Sequence, residues 1–176
     1  MKFIETPLKG AFLIELEKVS DDRGFFARYF CKEDFQKHGL NSDISQISIA
    51  FNEKKSTLRG MHYQKKPQEE AKLVRCTSGS IYDVIIDLRK ESPTFKKWYS
   101  VTLKANEYKM IYLPEGFAHG YQTLEDKTEV IYHMSVPFNA DTYAGVRWND
   151  KAFNIHWIFS NPIISEKDKN HVDFND

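Results

Sequence analysis

The sequence has little sulfur, no excess charge of either sign and no long apolar run. Its only two cysteines, Cys31 and Cys76, form neither a metal-ligand spacing nor a disulfide framework, so they are expected to be free thiols in a reducing compartment. Twenty-five Lys and Arg balance 25 Asp and Glu, and this zero net charge offers nothing to nucleic acid or a membrane surface. Short basic pairs such as Lys65-Lys66 and Lys96-Lys97 read as solvated faces. The opening "MKFIETPLKG" lacks the apolar centre of a signal peptide, and no stretch approaches a membrane span. A soluble cytoplasmic protein is expected. No repeat, low-complexity run or Pro/Gly/Ser linker divides the 176 residues, which are expected to form one domain, 1–176.

Aromatic residues are what the chain does have, at 14%, concentrated in short segments with Ile and Val that favour strands. "GAFLIELEKV" reads as an opening strand closed by the turn-like "SDDRG". "CKEDFQKHGL" is the best helix in the N-terminal half, with Gly39 placed to stop it. "KLVRCTSGSIYDVIIDLR" predicts two strands joined in a hairpin around Ser78-Gly79. Three or four more strands follow in "WYSVTLKANEYKMIYLPEGFAHGYQTL" and "TEVIYHMSV", and "NPIISEKDKN" reads as a short helical or turn segment. Many short strands at close turn spacing predict an all-β fold, a jelly-roll barrel with short peripheral helices. A small barrel of this kind has room for one ligand.

The stretch "TLRGMHYQKKP" places His62 between an arginine and aromatic neighbours. It reads as a buried structural ring, a metal ligand or a base. "PEGFAH" places His119 beyond a Pro-x-Gly turn, as in metal-binding cupins, which add a His-x-His pair and a glutamate. Here the pair is His62-Tyr63-Gln64. A neutral amide is a poor ligand, so even with Glu69 or Glu70 nearby no metal is expected. Arg59, Lys72, Arg75 and His119 fall on the same few predicted strands. Cationic groups inside a barrel call for an anion, and a diphosphate suits guanidinium and ammonium alike.

Six segments, "DDRGFFARYF", "LRGMHYQ", "KLVRCTSGSIYDVIIDLRKESPTFKKW", "LPEGFAHGYQTL", "GVRWND" and "SEKD", resemble in order and spacing the dTDP-4-dehydrorhamnose 3,5-epimerase family, from about Glu5 to Asp168. The resemblance implies a cupin-type jelly roll, a homodimer without metal or other cofactor, and epimerisation of a nucleotide-linked 4-keto-6-deoxy sugar. It assigns His62 as the base that removes a proton beside the ketone, with Asp168 orienting its ring. It assigns Tyr132 as the proton donor. Lys72 and Arg59 match residues that hold the diphosphate and polarise sugar oxygens. His119 matches a substrate contact, and the resemblance places Arg23, Gln46 and Lys167 among the substrate contacts. Asp83, on an inward-looking strand position, is placed to support this network, and a buried charge there needs a partner.

Some positions depart from the family pattern. Arg28 stands where a nucleotide-contacting glutamate is usual, Ser48 where asparagine is usual, and Tyr143 where an acid is common. Phe138 replaces a tyrosine six residues after the proton donor. Two consequences are open: another nucleotide, or epimerisation at one carbon only. A sugar ketoisomerase, a metal-dependent oxygenase and a non-catalytic sugar-nucleotide binder are the competing readings.

Overall fold

The computed structural model describes residues 1–175. Fourteen strands form two facing antiparallel sheets and a separate hairpin. The first sheet runs β1 (Lys2–Glu5), β2 (Phe12–Glu15), β10 (Lys109–Leu113), β7 (Lys72–Ser78), β12 (Thr128–Met134) and β5 (Gln46–Asn52) in spatial order. The second runs β13 (Tyr143–Gly145), β6 (Thr57–Gln64), β11 (Phe117–Thr123), β8 (Ser80–Asp87) and β9 (Trp98–Lys104), with the two-residue β14 (Ile163–Ile164) added parallel to β6. The hairpin pairs β3 (Lys18–Asp21) with β4 (Gly24–Ala27). The expected jelly roll is present, and its two helices are short: α1 (Lys32–Lys37) and α2 (Glu166–Lys169). None of the described helices is long and apolar enough to cross a membrane.

Burial explains why the central strands are apolar on both faces. Between the sheets lie Val74, Ile81, Ile85, Leu103, Ile111, Phe117 and Val130. The outer face of the first sheet is covered by α1 and the N-terminal segment around Phe35, Leu73 and Met110. The outer face of the second is covered by the C-terminal segment through Val146 and Phe153. Every residue of β11 is buried, as a strand covered on both sides requires. Each large apolar side chain so enclosed contributes about 1.5–3 kcal/mol.

Gly39 ends α1 as expected, at φ 70°. The Ser78-Gly79 hairpin does not form. There β7 passes into β8 without pairing with it, and the two strands join different sheets. Gly79 turns this corner at φ 73°, and a Cβ there would meet Thr128 Oγ1 at 2.5 Å. The "DLRKESPT" segment closes the β8–β9 connection around one carboxylate. Asp87 Oδ2 accepts from Ser92 Oγ at 2.5 Å, Thr94 Oγ1 at 2.7 Å and Arg89 Nη2 at 2.8 Å. Burial pushes this carboxyl up, but those donors outweigh it and hold it below its ordinary value.

Candidate active site

One open end of the barrel holds a cavity of about 840 Å³ including its mouth, within the usual range for a ligand site. His62 and Arg59 reach it from β6, His119 and Tyr121 from β11, Lys72 from β7 and Tyr132 from β12. Gln46, Ser48 and Ala50 line it from β5, with Phe138 and Tyr143 at the rim. The two sheets therefore supply opposite walls: His62 stands on one and Tyr132 on the other.

The position of His62 is set by glycine and by α2. Gly60 adopts φ 135°, and a Cβ on it would lie 2.5 Å from Gly120 Cα. Only glycine at both positions lets β6 and β11 approach across the register shift after His119. The Gly60 N–H donates to Asp168 Oδ2 at 3.2 Å, while the other carboxylate oxygen lies 2.8 Å from His62 Nε2. Ser165 caps α2 by accepting the Asp168 N–H, and this brings the carboxylate in behind the imidazole. Burial raises the Asp168 carboxyl, but His62, the Gly60 N–H and His171 together hold it below its ordinary 3.8. An ionised carboxylate only accepts, so His62 Nε2 is the donor, and the neutral ring in this tautomer keeps its lone pair on Nδ1.

His119 makes a second such pair, its Nε2 donating to the fully buried Asp83 at 2.8 Å. This is the partner that a charge at Asp83 demanded. Arg59 Nε donates to Asn52 Oδ1 at 2.8 Å, and Asn52 Nδ2 donates to the Tyr121 hydroxyl at 3.1 Å. Tyr132 packs near His119 and Tyr121, with ring centroids 6.1 and 6.3 Å away. Desolvation first, then the neighbouring Tyr121 phenol, raises its hydroxyl well above 10. It stays protonated at neutral pH and has a proton to give.

The expected convergence of cations is only partly present. Lys72 Nζ pairs with Glu70 at 2.7 Å, both side chains buried. Arg75 is outside, stacked between Tyr29 and Tyr108 on the far face of β7. Three of the inward basic residues thus each have an acid beside them: Glu70, Asp83 and Asp168. Gln64, at the position of a cupin ligand, has its amide tied to Gln68, Pro137 and Asn139. It serves as a loop anchor.

The remaining expected contacts divide between rim and exterior. Gln46 bridges Ser48 Oγ and the Phe138 N–H. Phe138 meets Tyr143 edge-on at 5.6 Å, and Lys167 Nζ lies 3.8 Å from the Tyr143 ring centroid. Arg23 and Arg28 do not line the cavity. Arg23 sits at the exposed hairpin tip bound to Asp21, and Arg28 pairs with Asp34 of α1. Tyr121, Asn52 and Glu70 were not anticipated in these roles. Of the three, only Tyr121 carried a signal, lying two residues beyond His119 on the same strand.

Fold and cavity together define a jelly-roll barrel with a cavity of small-molecule size lined by histidine, lysine, arginine and tyrosine side chains. The comparisons narrow that class. A family model described as dTDP-4-dehydrorhamnose 3,5-epimerase matches residues 5–176. The chain is 39% identical to the dTDP-4-dehydrorhamnose 3,5-epimerase of Shigella flexneri over 177 residues, covering 100% of this chain and 97% of that one. The crystal structure of the Bacillus anthracis str. Ames enzyme of that name, with TDP and PPi bound, superposes with a TM-score of 0.94 at 40% identity, covering 98% and 99% of the two chains. A 3'-monoepimerase from Streptomyces bikiniensis, in complex with dTDP-quinovose, gives a TM-score of 0.88 at 28% identity over 97% of this chain and 86% of that one. The chain belongs to the dTDP-4-dehydrorhamnose 3,5-epimerase family, a family of isomerases.

Proposed function

We propose that this chain, as one domain, epimerises a dTDP-linked 4-keto-6-deoxyhexose in deoxysugar biosynthesis, with His62 as base and Tyr132 as acid. The observation that carries this reading is their placement: the His62–Asp168 pair on one wall of the cavity, Tyr132 on the other. A ketone makes the adjacent C–H weakly acidic. His62 Nδ1 takes that proton, Asp168 stabilises the resulting imidazolium, and the electrons move to an enolate. The enolate oxygen falls to Lys72 and Arg59, while Tyr132 returns a proton from the opposite face and inverts the carbon. His119, fixed by Asp83, orients the sugar. TDP and PPi in the Bacillus anthracis structure support a nucleotide diphosphate as the ligand class, and we place its nucleoside toward the Gln46, Ser48, Phe138 and Tyr143 rim.

The companion reading is a single-carbon epimerase, favoured by the Phe138 ring, which offers no hydroxyl at the rim, and by the likeness to a 3'-monoepimerase. Proton NMR with dTDP-4-keto-6-deoxyglucose in deuterated water separates the two. Deuterium at C3 and C5 establishes double epimerisation; at one carbon, the companion reading. Exchange with neither refutes both.

The working unit we propose is a homodimer in the cytoplasm. β5 is an edge strand whose outward residues Ile47, Ile49 and Phe51 are 55%, 63% and 49% exposed, an apolar strip suited to a second copy. The hairpin carrying Arg23 then has a route to a neighbour's cavity rather than its own. Both cysteines are free, as a reducing compartment would keep them.

A further inference from the structure

Behind His62 lies a histidine that the acid–base scheme does not use. His171, just beyond α2, sets its ring edge-on to His62 with centroids 5.7 Å apart. Its Nε2 is buried and has no hydrogen-bond partner among the described residues, yet it lies 3.7 Å from Asp168 Oδ1. Gly145 makes this possible. It is paired in register with His62, and a Cβ on it would overlap the His171 ring. The fold therefore leaves a space beside the His62–Asp168 pair and fills it with an imidazole whose Nε2 finds no hydrogen-bond partner among the described residues.

From this geometry we propose an inhibitory site for a divalent ion of the zinc class, formed by His62 Nε2, Asp168 and His171 Nε2. One ligand atom from each of these residues lies within 4.8 Å of the others. A tetrahedral zinc ion with bonds of about 2.0–2.1 Å holds its ligand atoms about 3.3 Å apart, so closing the triad draws the His171 nitrogen in from within 4.8 Å and slightly opens the 2.8 Å His62–Asp168 contact. Two imidazoles and a carboxylate are ordinary zinc ligands, and the fourth position is left to solvent. The site differs from the cupin metal position, which would use His119.

Occupancy switches off the base by exchanging its tautomer. In the free pair Nε2 carries the ring's single proton and Nδ1 holds the lone pair. With the ion on Nε2, the neutral ring must carry that proton on Nδ1, which becomes a donor and no longer accepts from carbon. Asp168 is taken up by the ion at the same time.

The loss of activity rests on the epimerase reading, but the binding does not, so binding is measured first. Metal-stripped full-length protein is titrated with Co²⁺ and followed by its visible d–d absorption, and Zn²⁺ is then used to displace it. The expected result is one tetrahedral Co²⁺ per chain. Binding should weaken at least about tenfold in His171→Gln and in Gly145→Ala, with wild-type circular dichroism in both, and stay unchanged in His119→Gln. No Co²⁺ binding by the wild type overturns the proposal. So does binding that survives His171→Gln, or that vanishes only in His119→Gln. If the protein turns over a sugar nucleotide, Zn²⁺ should inhibit the wild type reversibly with chelator and leave His171→Gln insensitive. An active enzyme that ignores Zn²⁺ removes the inhibitory role and leaves the epimerase reading standing.

Discussion

Replacing Asp168 by asparagine tests the chemistry most directly, because the change keeps size and shape and removes only charge. The amide oxygen can still accept from His62 Nε2, so the ring stays in place. What disappears is the stabilisation of the imidazolium that forms as the proton leaves carbon. At the observed 2.8 Å separation an effective dielectric of about 20 gives about 6 kcal/mol for the pair. His62 is 28% exposed, so solvent screens part of this and leaves roughly 3–4 kcal/mol, or roughly 10²–10³-fold in kcat. KM should hold, since Asp168 does not line the cavity and the amide keeps the ring in place. The assay is initial-rate NMR of substrate turnover in deuterated water, with thermal melting to confirm the fold. A variant that keeps kcat within about threefold, or that loses activity through KM alone, refutes the role given to the carboxylate.

Four further outcomes follow from the same geometry. The Asp168 carboxyl is held below 3.8, so its stabilising contribution is present above that value and lost as pH falls through its folded value; the stability gap between wild type and Asp168→Asn, read by denaturant titration, should narrow below about pH 4. Tyr132→Phe should cut turnover at least about a hundredfold with KM within a few fold, measured by steady-state kinetics. Gly60→Ala forces a side chain into Gly120 at positive φ and should cost at least about 2 kcal/mol, seen as a Tm lower by roughly 4–8 °C. Ile49→Glu puts a charge in the middle of the β5 strip and should move the protein from dimer to monomer in size-exclusion chromatography with sedimentation analysis.

Local patterns in the sequence carried far into the fold, and pairings between distant segments did not. Strand-rich composition was enough to recognise β6, β11 and β12, whereas the roles of His62, His119 and Tyr132 came from the family resemblance rather than from strand alternation. Alternation, applied strictly, excludes Arg75: it lies three residues from Lys72 on one strand, so the two must face opposite ways. The Ser78-Gly79 turn looked like a hairpin because turn chemistry is local, whereas the choice of partner strand depends on the whole barrel. β1 escaped notice because four residues offer too short a period to read. The acids beside Lys72 and His119 are a different case. Asp83 announced its need for a partner, but Glu70 lies two residues before Lys72 in a loop whose path no periodicity describes. Arg23 and Arg28 were placed by motif alone, and within one chain the hairpin and the start of α1 hold them away from the cavity. His171 was invisible, because its position depends on the missing Cβ of a glycine 26 residues earlier.

The rim and the depth of the cavity are built from different kinds of strand. His62, His119, Lys72 and Tyr132 sit on strands hydrogen-bonded on both sides, whereas Ser48 and Tyr143 sit on the two edge strands β5 and β13, and Phe138 on the loop between them in space. A substitution on an edge strand disturbs one neighbour, and one in a loop disturbs fewer still. Departures from the family pattern inside the cavity fall in those cheap places. Such a barrel can change the contacts at its rim with little disturbance to the doubly bonded strands that carry His62, His119, Lys72 and Tyr132.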